Sequence, residues 1–169
     1  MSSMFAYSLP KMKSINLTNL NLENVEDMSF LFQGLSSLIS IDLSNLNTKN
    51  LKDIRGMFQF CHGLEYVNLT NFNTQNVTDM QDVFDMCFNL TSINFSGLNL
   101  AKVTTFSNMF YDCRSLLSID LSNIKADNLE IMFQTFVNCK SLTSINFTNF
   151  YAPKLGLLYY IPHLNFVLH

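Results

Sequence analysis

Residues 64–89 read LEYVNLTNFNTQNVTDMQDVFDMCFN, and residues 90–115 read LTSINFSGLNLAKVTTFSNMFYDCRS. Set one under the other, they share their apolar positions: Leu64 over Leu90, Val67 over Ile93, Leu69 over Phe95, Val77 over Val103, Phe84 over Phe110 and Cys87 over Cys113. Working outward, the leading apolar residue recurs at Met12, Leu38, Leu64, Leu90, Leu116 and Leu142, always 26 residues apart, with no insertion or deletion. Self-similarity at such a period is the mark of a repeat architecture, because one unit of this size cannot bury an apolar face without a neighbour.

Each unit opens with apolar residues at positions 0, 3, 5 and 8, separated by small polar ones such as Ser40, Asp42 and Ser44. Alternation with period two predicts a short strand buried on one face. The second half of the unit changes period. Val77, Met80, Val83, Phe84 and Cys87 stand at offsets 0, 3, 6, 7 and 10, which at 100° per residue share an arc of about 120°. That spacing predicts an amphipathic helix of two to three turns. Asn24, Asn50, Asn76 and Asn128 precede it, with Asp27, Asp53 and Asp79 three residues after the first three, in the manner of a capping box. Lys102 interrupts the asparagine column and predicts a weaker helix start there.

The fold class expected is therefore an α/β solenoid, with one short parallel strand and one short helix in each 26-residue repeat. Strands pack about 4.8 Å apart and helices about 10 Å apart, so such a stack bends with its strands on the concave side. Residues 12–155 form the array, with units starting at 12, 38, 64, 90, 116 and 142. Residues 1–11 read as a partial repeat or N-terminal cap, since Met4-Phe5 followed by Leu9 and Met12 resembles Met109-Phe110 followed by Leu116 with one residue extra. Residues 156–169 read as the degenerate end of the sixth repeat or a C-terminal cap, with Pro162 in place of the usual Phe and Asn165 in place of Cys. A sixth helix lying over Ile131, Phe133 and Val137 accounts for apolar residues at positions that are mostly polar elsewhere. A segment of a longer array accounts for these ends equally well.

The unit, above all Asn76-Val-Thr-Asp-Met80 and the Met-Phe-x-x-Cys stretches Met57 to Cys61 and Met109 to Cys113, resembles the 26-residue repeat of BspA-type leucine-rich repeat surface proteins. The resemblance covers about residues 12–155. It implies a leucine-rich-repeat-like fold, a place at the cell surface and a role in adhesion to host or matrix proteins or to other cells. The opening MSSMFAYSLP has neither a basic region nor a following apolar run of the kind an export signal carries. A cytoplasmic scaffold that docks a partner protein is thus the alternative, as is a repeat fragment without independent function.

Composition narrows the classes further. Of 169 residues 48% are apolar and only 14% charged, which excludes a disordered or fibrous chain. The 10 basic and 13 acidic residues are scattered singly, leaving no basic stripe for nucleic acid or polybasic membrane patch. No run reaches the roughly 20 apolar residues of a membrane span.

Cys61, Cys87, Cys113 and Cys139 form one column of the repeat rather than the paired spacing of a zinc site. They read as buried free thiols, expected on the wide side of the bend, beyond the roughly 4.4–6.8 Å between Cα atoms that a disulfide tolerates. Asn19, Asn45, Asn71, Asn123 and Asn149 follow each strand, with Gly97 the exception, and read as structural residues of the turn. No metal or other cofactor is implied. His62, His163 and His169 converge with no acid or nucleophile at a recognisable spacing, and Asp79, Asp82 and Asp85 read as a solvated helix face. Sequons at Asn16, Asn68, Asn76, Asn89, Asn94 and Asn146 are mostly a by-product of the strand pattern, with Asn89 the best acceptor.

The candidate binding surface is the strand face, where Asp42, Tyr66, Asn68, Ser92 and Asn94 point outward. Tyr66 is the one aromatic in a column of serines, and aromatics are enriched among binding hot spots. The partner expected is a protein or glycan bound without catalysis.

Overall fold

The computed structural model of the protein describes residues 1–8, 11–17, 20–44 and 46–156. Asn19 and Asn45, and the tail that carries Pro162, His163, Asn165 and His169, lie outside the described residues.

The chain is a stack in which unit follows unit, with strand and bridge partners 26 residues apart. Among the described residues there are four three-residue strands, β1 (Ser40–Asp42), β2 (Tyr66–Asn68), β3 (Ser118–Asp120) and β4 (Ser144–Asn146). β1 pairs in parallel with β2, Ile41 opposite Val67, and β3 with β4, Ile119 opposite Ile145. Asn94 bridges Asp120 in the same parallel sense. Each central residue turns inward, so Ile41, Val67 and Ile119 are buried beside the leading leucines Leu38, Leu64, Leu90 and Leu116.

The second half of the unit departs from expectation. Among the described residues there is no helix. The apolar stripe is folded instead into successive β-turns that are hydrogen-bonded from unit to unit. Within a unit, Leu31, Gln33 and Leu35 donate their N–H groups to the carbonyls of Met28, Phe30 and Phe32, each three residues back. Between units, Phe30, Phe32 and Gly34 donate to Arg55, Met57 and Gln59 at 2.8–3.0 Å. The alternation recurs at Phe58, Phe60, Phe84, Met86, Phe110 and Asp112, which donate to Val83, Asp85, Met109, Tyr111, Thr135 and Val137. A helix would keep every one of these N–H groups within its own unit. It would also demand a width of about 10 Å where the strands allow about 4.8 Å. The turn stack removes that mismatch, because both walls are then tied at one hydrogen-bonded spacing.

Two positions in each run of turns need a left-handed backbone. These are Phe30 and Gly34, Gly56 and Phe60, Asp82 and Met86, Asn108 and Asp112, and Gln134 and Asn138, all with φ between 54° and 73°. Residues without a Cβ, or with a short polar side chain, bear this conformation most easily. At Gly56 (φ 60°) the space is also taken, since an added Cβ would lie 2.3 Å from the ring of Phe30. Phe30 is only half-buried and can swing aside, so Gly56→Ala is expected to cost about 1–2 kcal/mol. The midpoint of urea unfolding measures this, and a neutral outcome would refute the turn geometry.

The interior is a ladder of rings. Phe5, Phe32, Phe58, Phe84, Phe110 and Phe136 stack face to face in sequence, with centroids 5.4–5.9 Å apart and planes within 13°. Phe5 belongs to the first segment, whose residues Ser3, Phe5 and Tyr7 donate their N–H groups to Ser29, Leu31 and Gln33. At the other end Ile131 and Phe133 are 39% and 41% exposed; the segment expected to cover them falls largely outside the described residues.

Four corrections follow from the absence of helices. Asn50, Asn76 and Asn128 cap no helix; each side-chain amide donates to a carbonyl of the preceding unit, on Glu23, Lys49 and Ala101, at 2.8–2.9 Å. Lys102 joins the same ladder, its Nζ donating to Asn76 Oδ1 at 2.7 Å. The expected bend has lost its cause, so nothing marks the strand wall as concave. Asp85, read as one residue of a solvated helix face, is buried at 8% exposure.

Candidate functional site

The unit turns its corners with side chains. At the end of each strand an Asp or Asn accepts a hydrogen bond from the N–H two residues on: Asp42 from Ser44 (2.9 Å), Asn68 from Thr70 (3.1 Å), Asn94 from Ser96 (2.8 Å), Asp120 from Ser122 (2.8 Å) and Asn146 from Thr148 (3.0 Å). These are Asx turns, in which a side chain stands in for a backbone carbonyl. A second set closes further along, where Asn21, Asn73 and Asn99 accept from Glu23, Gln75 and Ala101. A third precedes the run of turns, where Asp27, Asp53 and Asp79 accept from Ser29, Arg55 and Gln81, and Thr105 Oγ1 accepts from Ser107. The bonds to Ser44 and Ser122 hold the carboxyls of Asp42 and Asp120 below the usual carboxylate range.

Three of the five residues expected to contact a ligand, Asp42, Asn68 and Asn94, are thus committed to the backbone through an oxygen. Sequence reasoning missed this role, although the spacing Asp/Asn-x-Ser/Thr at the same place in each unit was there to find it. Ser92 is exposed, and so is Tyr66, at 51%. Ile39 and Leu117, on the same approach to their strands, are 40% and 54% exposed. The strand wall therefore presents three large apolar side chains over a field of hydroxyls and amides.

In the asparagine column after the strands, Asn71, Asn123 and Asn149 have φ of 62°, 59° and 56°, and Gly97 has 85°. Asparagine and glycine are the residues that take this conformation at least cost. The four cysteines are free thiols, three of them buried and Cys139 partly so. Each Sγ donates to a phenylalanine carbonyl of the preceding unit, on Phe32, Phe58, Phe84 and Phe110, at 3.0–3.2 Å. Burial pushes Cys61 and Cys139 up to about 12, and Cys87 and Cys113 well above the ordinary thiol value. Such thiols are poor nucleophiles. Their isolation was expected from wide spacing, but the ladder bonds on either side hold them in line at sheet-like spacing, and the hydrogen bond to the carbonyl is what occupies each sulfur.

Ion pairs join successive units, Lys49 with Glu23, Lys52 with Glu26 at 2.8 Å and Arg55 with Asp79 at 3.9 Å, while Arg55 also pairs with Asp53 of its own unit at 3.3 Å. Among the described residues no group of three or more His, Cys, Asp or Glu side chains is placed to hold a metal ion. Nor, among them, is any helix long and apolar enough to cross a membrane.

A parallel stack of 26-residue coils around a leucine and phenylalanine interior is a leucine-rich-repeat-like fold, although among the described residues the strand expected in every unit forms only in those starting at 38, 64, 116 and 142, with an isolated bridge at Asn94 in the unit starting at 90. The chain belongs to the family described as "Mycoplasma protein of unknown function, DUF285", whose model matches residues 1–93 and 37–150. Among solved structures it is similar to a leucine rich cell surface protein from Faecalibacterium prausnitzii A2-165, at 20% identity and a TM-score of 0.58, over 82% of this chain and 33% of that one. A leucine-rich repeat protein from Eubacterium ventriosum ATCC 27560 aligns at 23% identity and a TM-score of 0.36, over 79% of this chain and 35% of that one. The chain thus spans about a third of the length of either protein. No curated protein matches it.

Proposed function

We propose that this chain is a non-enzymatic binding segment of a cell-surface repeat protein of the BspA type, and that it engages a protein or glycan through its strand wall. The observation that carries the reading is Tyr66, half-exposed on a rigid, hydrogen-bonded wall in a column that elsewhere holds Ser40, Ser92, Ser118 and Ser144. A stacked array orders its surface before the partner arrives, which lowers the entropic cost of binding an extended ligand. Ile39, one unit before Tyr66, and Leu117, two units after it, add exposed apolar surface on the approaches to their strands. The surface location draws on the likeness to the Faecalibacterium cell surface protein and on the repeat motif itself.

The test is adhesion of the purified chain to immobilised matrix proteins and to epithelial cells. Tyr66→Ser is expected to weaken binding at least tenfold, the weight of a modest aromatic hot spot. Asp42→Asn keeps the Asx turn and is expected to leave binding unchanged. Binding that ignores Tyr66→Ser would refute the strand wall as the contact surface.

A further inference from the structure

The geometry points to a second binding site, for a neutral pyranose sugar, on the wall that follows the strand wall in the last two described units. A cleft of about 530 Å³ opens there between Asn123, Lys125, Asp127, Asn149 and Tyr151. Its size lies within the roughly 300–1,000 Å³ of small-molecule sites, and every residue lining it carries a polar group. Lys125 enters the cleft from a β-bridge, flanked by Asn123 and Asp127 from the turns on either side of it. Tyr151 lies beside Lys125 across a parallel bridge, its N–H bonded to Ile124 O at 2.9 Å. Asn149 Nδ2 donates to Asn123 Oδ1 at 3.0 Å, so the two amides form one fixed plate.

The repeat gives a second reason. Lys125 and Tyr151 occupy the column that in earlier units holds Asn21, Asn73 and Asn99, each of which closes an Asx turn. Lysine and tyrosine have no side-chain oxygen that can close that turn in the same way. The two units that line the cleft are the two that place no asparagine in this column, and they put there a cation and a ring that is 52% exposed. A residue that abandons a structural bond to stand in a cleft is placed for a ligand.

The chemistry of the lining selects the ligand. A tyrosine ring offers a flat, electron-rich face with a hydroxyl at its edge, to which the C–H face of a pyranose can lie parallel. Amide, carboxylate and ammonium groups around it donate to and accept from sugar hydroxyls. One lysine and one aspartate leave the lining without formal charge, which favours a neutral sugar over a sialylated or amino sugar.

The test titrates the whole chain with cellotriose and maltotriose, and with 3′-sialyllactose as a charged comparator, by protein-observed NMR or calorimetry. Saturable binding of a neutral trisaccharide is expected, with Kd on the order of 1 mM. Tyr151→Ala should weaken it at least tenfold, and Tyr151→Phe should keep most of it, since the ring face is retained. Tyr66→Ser should leave it unchanged, which separates this site from the strand wall. Thermal unfolding of each variant guards against loss of fold. No saturation by either neutral sugar at twenty times that concentration would overturn the proposal. So would a preference for the sialylated sugar, or binding that survives Tyr151→Ala.

Discussion

Phe84→Ala is expected to cost about 3–5 kcal/mol of unfolding free energy, the range for emptying a buried phenylalanine site. Phe84 is 1% exposed and sits between Phe58 and Phe110, with ring centroids 5.6 and 5.5 Å away. Its neighbours cannot close the gap, because their backbones are pinned by ladder bonds from Phe58 to Val83 and from Phe84 to Met109. The loss is twofold. Transfer of the ring to water is followed by a void beside the small apolar cavity already lined by Met57, Met80, Val83 and Met109. Stability in a stacked array also passes from unit to unit, so a fault in the middle weakens both halves. Phe5→Ala, at the half-buried end of the same stack, is expected to cost less than about 1.5 kcal/mol. Urea unfolding of the two variants side by side is the measurement. Equal costs would show that the ring ladder does not carry the array.

The strands and the core were legible because period two has few competitors. Leu38, Leu64, Leu90 and Leu116 led each unit and are all fully buried. The helix was not legible as absent, because a run of overlapping β-turns places Met80, Val83, Phe84 and Cys87 inward with the same spacing of three, one and three as a helix face. The discriminating signal lay elsewhere, in the left-handed columns. Gly34, Gly56, Asp82, Asn108, Asp112 and Asn138 fill six of the ten left-handed positions in the five runs. Glycine, asparagine and aspartate recurring four residues apart inside an apolar stripe are poor helix formers and good turn formers. At the candidate site Tyr66 stood out by its departure from a serine column, whereas Asp42, Asn68 and Asn94 drew notice for polarity that serves the backbone. Tyr151 was not legible because nothing in its own unit marks the cleft it shares with Asn123, Lys125 and Asp127 of the preceding one.

Between about pH 6 and pH 4 the protein is expected to gain stability as it is acidified, through Asp85. One oxygen of this buried carboxyl accepts from Gln59 Nε2 at 2.8 Å, and the other, Oδ1, has no donor. Burial, with Asp82 and Asp112 adding negative charge nearby, pushes its pKa up to about 6 from 3.8. Asp112 is itself held by Arg114 at 2.7 and 3.0 Å, so that guanidinium is already engaged. The remaining neighbours, Cys87 and Cys113, are thiols that burial keeps protonated. The folded state therefore binds the proton more tightly than the unfolded state, and ionisation costs it about 2–3 kcal/mol once the pH is above the folded value. That cost is fully present above pH 6 and is relieved as the pH falls toward the unfolded value near 4. Asp42 and Asp120, whose pKa values are lowered, act in the opposite sense, and their contribution is lost only below about pH 4. Asp85→Asn keeps an acceptor for Gln59 and removes the charge. It should be more stable than the natural chain at pH 7, by about 2 kcal/mol, and equal to it near pH 4. Urea midpoints taken across that interval decide the matter: a variant that is less stable at pH 7, or that keeps the natural slope between pH 4 and pH 6, would show that Asp85 is not the group responsible.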